Sequence, residues 1–447
     1  MSDEQKCIKT SSGYRSGLSD QAITLYLLAQ TPDVVGISNN FTAHAHDVLE
    51  LTALVKGVLP SCVVVVGGAH ATFAHETLIS NNHCIDVVVR GEGEVTFWKL
   101  LRAVYSDESF DNLKGITFRK AGNLVVQEPE PLIEDLDSLP MPDRSLVDYG
   151  KYLEISDKSY FVPYKKPVGT IVSSRGCMFN CVFCSTQKVW GNKWRTISAE
   201  NVVREIEHLY YKYGVREISF EDDQFMGSKQ RVIDICDLII EKKLAIGLIA
   251  PAGISPALIT EEVLDRMAKA GFHRICYSVD VGTEKSREYV GKPVKLDRVR
   301  ELVRMTNRKG LWTYATFVIG FPDETEDDIL DTIKFAYDIK TDFVRFYIAQ
   351  PHLGSRLYEI YLEQGIIEDA HRVESDHGMY QALYPTKYVS ADRLEELRDF
   401  AESGYLKKHL LHLLEPSYLI HEFLPKISSA RKFQYFLRMV LSRRNLA

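Results

Sequence analysis

Cys177, Cys181 and Cys184 place three thiols within eight residues, on a loop that also carries Phe179 and Phe183 and follows Arg175-Gly176. The spacing is too tight for a disulfide framework and one ligand short of a closed tetrahedral zinc site. Three thiolates on a short loop can hold three irons of a four-iron four-sulfur cluster and leave the fourth iron open to a reactant. A zinc site would need one more Cys or His, and the nearest downstream candidate, His208, falls on an expected helix. The other five cysteines, Cys7, Cys62, Cys84, Cys236 and Cys276, are scattered through apolar or terminal stretches and read as small core hydrophobes.

The elements that must carry this loop belong to a chain of 447 residues, 45% hydrophobic, enough for two or three domains with ordinary cores. A net charge of −7 gives no footprint for nucleic acid. No apolar run reaches the length of a membrane span; blocks such as 62–66 are strand-sized. The polar N-terminus lacks a basic segment followed by an apolar one, so no signal peptide is expected. Eight cysteines without a secretory signal point to a reducing cytoplasm.

Two α/β regions are expected. In the first, strands at 33–38, 61–66 and 86–89 alternate with helices at 49–58 and from about Thr96, which implies a parallel sheet covered on both faces. Gly67-Gly68 and Arg90-Gly91-Glu92-Gly93-Glu94 follow two of these strands, where open α/β sheets bind ligands. Pro129, Pro131, Pro140, Pro142 and Pro163 mark residues 111–165 as a looser connector. The second region repeats the alternation with strands at 169–173, 217–220, 246–250, 274–279, 314–319 and 343–349. Helices are expected between them at 201–213, 229–242, 261–270, 296–309 and 326–339, the last capped by Thr325 with Asp328. Six such units predict a partial or full parallel barrel with the cysteine loop at its C-terminal rim, where barrel active sites sit. The expected divisions are 1–110, a linker at 111–165, a barrel at 166–370 and a helical region at 371–447.

The C-terminal 24 residues carry Lys426, Arg431, Lys432, Arg438, Arg443 and Arg444 and no acidic residue. Phe433, Phe436, Leu437, Val440 and Leu441 share one helical face. The pattern reads first as a terminal helix packed on the barrel with a solvated basic face, and second as a peripheral membrane contact.

The cysteine loop after a first barrel strand resembles the radical S-adenosylmethionine superfamily. Segments 32–38, 65–72 and 88–94 resemble the Rossmann-like, flavodoxin-type cobalamin-binding domain that precedes the barrel in one large subgroup. Phe220-Glu221-Asp222-Asp223-Gln224-Phe225 and residues 317–325 are most similar to the branch of the anaerobic magnesium-protoporphyrin monomethyl ester cyclase and the hopanoid-biosynthesis radical enzymes. The resemblance spans residues 30–365 and implies a cobalamin-type domain, apparently truncated, then a partial (β/α)6 TIM-like barrel and a helical C-terminus. It implies Cys177, Cys181 and Cys184 as cluster ligands, with S-adenosylmethionine chelated to the open iron and cleaved to a 5′-deoxyadenosyl radical. Phe183 then lies near adenine, Glu221 and Asp222 at the methionyl amino group, Ser278 and Asp280 at the ribose, and Ile319 and Gly320 at the adenine edge. Helix capping is the competing role for Asp222 and Asp223, and a satisfied core hydroxyl for Ser278. Gly67, Gly68, Gly91 and Gly93 line the implied cobalamin cleft.

One departure stands out. No Asp-x-His-x-x-Gly string, whose His ligates cobalt from below, occurs in the chain, and the strand expected before Asp33 is missing or degenerate. Of His44, His46, His70, His75 and His83, none has the required context, and His70 in the Gly-Gly-x-His turn reads as a loop hydrogen-bonder. Three readings remain: cobalamin held without a lower protein ligand, a domain that has lost cobalamin, or a start placed too late. The expected function is a cytoplasmic radical enzyme, first of all a cobalamin-dependent C-methyltransferase acting on a small molecule or lipid and reduced by an external donor such as flavodoxin or ferredoxin. The alternatives are a radical cyclase, ring-contracting or dehydrating enzyme, and a non-catalytic cofactor-binding or sensing protein.

Overall fold

The computed structural model describes residues 6–9, 14–159, 162–367 and 381–443. It falls into two compact units. The first comprises the described residues up to Ile133, together with Lys188–Trp190 and the described part of the segment that begins at Pro351.

In the first unit, β1 (Lys6–Lys9) and β2 (Tyr14–Gly17) form an antiparallel hairpin. A helix over Asp20–Gln30 follows, its first turn capped by the Ser19 hydroxyl accepting from the Ala22 amide at 3.2 Å. Among the described residues the main sheet then runs β3 (Val34–Ser38), β4 (Val63–Gly67), β5 (Val87–Val89), β6 (Ile116–Lys120) and β7 (Asn123–Val126), in that spatial order. The first three are parallel, with Val34 opposite Val63 and Val65 opposite Val87. β4 is β-branched throughout apart from its last glycine, and its middle residues are buried, which suits a central strand covered on both faces.

Here the structure departs from the expected connector. β6 and β7 are antiparallel additions to the sheet, joined by a two-residue turn in which Ala121 (φ 49°) and Gly122 (φ 82°) are both left-handed. That is the turn geometry whose twist matches paired strands. Ile116 and Phe118 bury beneath the sheet with Val87, Val89 and Leu100, so the linker expected from residue 111 begins only after this hairpin. β3 lies at the sheet edge, and among the described residues no earlier strand pairs with it.

The second unit holds the barrel. β8 (Val168–Ile171) is followed by β9 (Ser174–Arg175) and β10 (Arg195–Thr196), a short antiparallel ladder. Then come β11 (Glu217–Phe220), β12 (Gly247–Ile249), β13 (Arg274–Asp280), β14 (Trp312–Ile319) and β15 (Phe343–Ile348). They form two three-stranded parallel sheets, β8-β11-β12 and β13-β14-β15. Bridges from Leu248 to Phe272 and from Ile254 to Tyr277 carry the chain order across the gap. Six parallel strands in sequential order make the partial (β/α)6 barrel.

The helices between strands form for local reasons. Ser198, Ser228, Thr260 and Thr325 each cap a helix by accepting a backbone N–H, Thr325 with Asp328 as a reciprocal capping box. Each helix buries an apolar stripe; Val202, Val203, Ile206 and Leu209 are one. The helix Ala391–His412 covers the free edge of β15, where Glu402 accepts the Phe346 amide at 3.2 Å and pairs with Arg345 at 3.1 Å.

At the N-terminal ends of β14 and β15 the chain buries a charge. Lys426, 0% exposed, donates to Asp342 at 2.6 Å and to Asn307 at 2.7 Å, and Asp342 also accepts the Thr313 amide at 2.7 Å. Breaking such a pair costs about 3–5 kcal/mol, so the segment around Lys426 is firmly held. The terminal helix Ala430–Arg443 corrects the face expected from periodicity: Tyr435 and Met439 are the buried stripe, while Phe433 and Leu437 stand in solvent. Among the described residues no helix is long and apolar enough to cross a membrane. Cys62, Cys236 and Cys276 are buried as expected and Cys84 is half-buried; the Cys7 side chain lies outside what is described.

Candidate active site at the barrel rim

The cysteine loop leaves the C-terminal end of β8 and is fixed from two sides. On one side, Asp222, 1% exposed, accepts the Ser173 amide (2.6 Å) and the hydroxyls of Ser173 (2.7 Å) and Ser174 (2.6 Å). Arg231 donates to the Ser173 carbonyl at 2.7 Å, and Asp223 accepts the Gly176 amide at 3.2 Å. These contacts give Asp222, expected at the methionyl amino group, the role of positioning the loop, with three donors on its buried carboxylate. Glu221, half-buried just past the end of β11, accepts from the Ser219 hydroxyl at 2.6 Å.

On the other side the loop lies against residues 289–292. The Val182 amide donates to the Val290 carbonyl at 3.1 Å. Gly291 is left-handed (φ 80°), and a Cβ there would stand 3.0 Å from the Asn180 carbonyl. This docking brings Lys292 to the cysteines. Its ammonium pairs with Asp280 at 2.5 Å and donates to the Ser278 carbonyl at 3.3 Å. Burial opposes its charge, but the Asp280 carboxylate outweighs that and raises its pKa. Asp280, expected at the ribose, holds Lys292 through Oδ2. It is a non-glycine residue at φ 67°, beside a register shift in β13, where backbone strain of this kind marks functional sites.

The three thiols are free of disulfides. Among the described residues no three His, Cys, Asp or Glu converge on a point where a single metal ion could sit. The donor set itself, three thiols on one short loop, suits a four-iron four-sulfur cluster with one iron left open. Burial pushes the Cys181 thiol up to about 12 and raises Cys177 as well, so ionisation must come from iron, which deprotonates a coordinating thiol.

The turn after β14, where the sequence placed the adenine edge, meets the cysteine loop through Phe321 and Phe183. The Phe183 ring lies 6.1 Å from Phe321, and Tyr289 lies 5.9 Å from Phe321. Gly320 is left-handed (φ 88°), with Leu394 3.1 Å from where a Cβ would be, so packing requires glycine there. Ile319 is 0% exposed and its side chain belongs to the core, which leaves only backbone for a ligand. Ser278 is half-buried, and a Cβ at Gly253 would strike its hydroxyl at 1.9 Å.

Glu324 holds the turn together, accepting the Gly320 amide at 2.9 Å, the Phe321 amide at 3.1 Å and the Ser286 hydroxyl at 2.9 Å. Burial pushes its carboxyl up to about 7 from an ordinary 4.5. The native state therefore binds a proton that the unfolded chain has released, and this group's contribution to stability falls as pH rises from 4.5 to 7. Glu324→Gln can keep the two backbone amides on its carbonyl oxygen and donate its NH2 to the Ser286 hydroxyl oxygen, in a permanently neutral form. It should flatten the melting temperature against pH over that window, where the parent loses up to about 3 kcal/mol.

Lys292 and Glu324 were missed in the sequence. The available signals were a Lys directly after a helix-ending Gly291 and a Glu four residues past Gly320.

In the first unit the glycines divide into two kinds. At Gly68 (φ 110°) a Cβ would meet the Asn39 carbonyl at 2.6 Å, so close backbone approach explains it, and at Gly67 a Cβ would make an ordinary contact at 3.5 Å. Gly91 (φ 69°) faces open space, and Gly93 opens the helix Gly93–Tyr105. Thr72 ties the two turns, accepting the Gly91 amide at 2.9 Å and donating to the Gly68 carbonyl at 2.9 Å. Beside them at the end of β3, Asn39 is 1% exposed with neither amide atom hydrogen-bonded. A buried, unsatisfied amide at the C-terminal edge of a parallel sheet fits a polar ligand there, as a cobalamin site requires. His70 is bonded to Thr42 at 3.0 Å and His75 to Thr117 at 2.9 Å, and burial lowers the pKa of both. The His70 contact is the loop hydrogen bond expected of it.

Comparison with known proteins agrees with both units. Residues 171–336 match the Radical SAM superfamily and residues 18–101 match the B12 binding domain. An uncharacterized methyltransferase of Pyrococcus horikoshii is 31% identical over 424 residues, covering 95% of this chain and 86% of that protein. The cytidylyl-2-hydroxyethylphosphonate methyltransferase of Streptomyces wedmorensis is 28% identical, covering 87% and 76%. In fold, the chain is similar to the cobalamin-dependent S-adenosylmethionine radical enzyme OxsB, with a TM-score of 0.70, 17% identity and coverage of 95% and 69%. The cofactors that go with these two domains are a four-iron four-sulfur cluster, S-adenosylmethionine and cobalamin. Three cysteines on a barrel-rim loop, a B12 binding domain before the barrel and a relative 31% identical along nearly the whole chain agree: the protein belongs to the radical S-adenosylmethionine superfamily, in the branch that carries a B12 binding domain.

Proposed function

We propose that the protein methylates an unactivated carbon of a small molecule or lipid. The supporting observation is the presence in one chain of a rim with three free cysteines beside a buried Lys292–Asp280 pair and a B12 binding domain with an unsatisfied amide at its sheet edge. The two relatives named above are both methyltransferases by name. Cys177, Cys181 and Cys184 hold the cluster. Lys292 offers its ammonium to the methionyl carboxylate, and Glu221 offers its carboxylate to the methionyl ammonium. The Phe183 and Phe321 rings and the backbone at Gly320 bound the adenine and exclude water. When bound, a reduced cluster would supply the electron for cleaving S-adenosylmethionine and cobalamin would serve as the methyl carrier. An external one-electron donor such as flavodoxin or ferredoxin is required. Anaerobic turnover of the reconstituted protein should yield both 5′-deoxyadenosine and S-adenosylhomocysteine; 5′-deoxyadenosine without S-adenosylhomocysteine would indicate a radical rearrangement or cyclisation instead.

A further inference from the structure

The helical segments between Lys407 and Arg438 bury one face and expose another that is also apolar. Tyr418, Phe423, Tyr435 and Met439 pack with Trp312 at the N-terminal ends of the barrel strands. The opposite face presents Leu411, Leu414, Ile420, Leu424, Phe433 and Leu437, between 42% and 77% exposed. Phe433 and Leu437, four residues apart on the helix Ala430–Arg443, form one stripe, while Leu411 ends the helix Ala391–His412, Leu414 follows it and Ile420 and Leu424 lie in the short helical turns over 419–427. Scattered exposed leucines need no explanation, but six large apolar side chains exposed within 27 residues do.

The charge on this region is equally unusual. Residues 403–447 carry eight Lys and Arg against two Asp and Glu, a net +6 in a chain of −7, which leaves the preceding residues at −13. Lys407, Lys408 and Arg431 are exposed. Both carboxylates are committed elsewhere: Glu422 is buried and accepts from Asn307 at 3.1 Å, and Glu415 pairs with Lys340 and with His412.

We propose that this face docks the protein onto an anionic lipid bilayer. Apolar side chains that enter the headgroup boundary, rimmed by cations that meet anionic lipid, are the two components of interfacial binding. A second copy of the chain is a poorer occupant, because a symmetric contact would set the same cations against each other. The surface lies at the N-terminal ends of the barrel strands, the end away from the cysteine loop, so a docked protein keeps its rim open. The Lys426–Asp342 pair anchors the segment from within, which lets the outer face bear a load without unfolding.

The test is sedimentation of the full chain with vesicles of phosphatidylcholine alone and of phosphatidylcholine with phosphatidylglycerol. Binding should be at least about 10-fold stronger to the anionic vesicles and should fall steeply in about 0.5 M salt. The double variants Lys407→Glu/Lys408→Glu and Leu414→Ser/Leu424→Ser should each lower it by about 10-fold or more. Both change exposed positions only, so unaltered circular dichroism and melting will show that the fold is intact. No sedimentation of the folded parent, equal binding to both vesicles, or a concentration-dependent dimer abolished by the same substitutions would each overturn the proposal.

Discussion

Cys181→Ala, like Cys177→Ala and Cys184→Ala, is expected to abolish reductive cleavage of S-adenosylmethionine, by about 10³-fold or more. The three ligands act as one unit, so losing any of them costs nearly as much as losing all. Their environment sharpens the expectation. Burial raises the Cys177 and Cys181 thiols, so without iron they are neutral groups. The control is Cys236→Ala, at a buried thiol among helix-packing residues, which should cost stability through a small cavity and leave cluster absorbance untouched. Iron and sulfide content with the visible spectrum checks the first effect, and 5′-deoxyadenosine formation checks the second. A full cluster in Cys181→Ala would refute the ligand assignment.

Lys292→Met should produce the other large change, and it should divide into two parts. Removing the ammonium leaves the Asp280 carboxylate buried without its 2.5 Å partner, which costs about 3–5 kcal/mol of stability. It also removes a charge-assisted contact to the methionyl carboxylate, worth about 10- to 100-fold in affinity for S-adenosylmethionine. The double variant Lys292→Met/Asp280→Asn separates them. Melting should return most of the way towards the parent, because no uncompensated charge remains, while S-adenosylmethionine binding stays weak. If the double variant recovered both, Lys292 would be only a structural partner of Asp280. Cluster assembly should survive in both variants, since the cysteines are unchanged.

What the sequence conveyed about this site, and what it hid, follows from range. The cysteine triplet is a local pattern and was fully legible. So were the barrel strands, whose apolar runs between capped helices specify β11, β13 and β14 to within a residue or two. The hairpin β6–β7 was missed because its turn carries Ala121 where Asn or Asp would have signalled left-handed backbone, and because prolines soon after it pointed to a connector. Asp222 and Asp280 read as available carboxylates because their partners lie far away in sequence: Ser173 is 49 residues from Asp222. A pairing across strands leaves no local trace. The terminal helix shows a further limit. Its sequence is apolar on two faces, and periodicity alone does not say which of them, Tyr435 with Met439 or Phe433 with Leu437, meets the barrel.

The central claim is that this chain spends its radical on methyl transfer, and isotope tracing tests it most directly. The anaerobic protein, reconstituted with iron, sulfide and hydroxocobalamin, is given S-adenosylmethionine labelled in its methyl group, a one-electron donor and fractionated cell extract as the source of substrate. Methyl transfer predicts that labelled product, 5′-deoxyadenosine and S-adenosylhomocysteine rise together and that all three depend on hydroxocobalamin. Steady formation of 5′-deoxyadenosine, with no S-adenosylhomocysteine, no labelled product and no dependence on hydroxocobalamin, would contradict it.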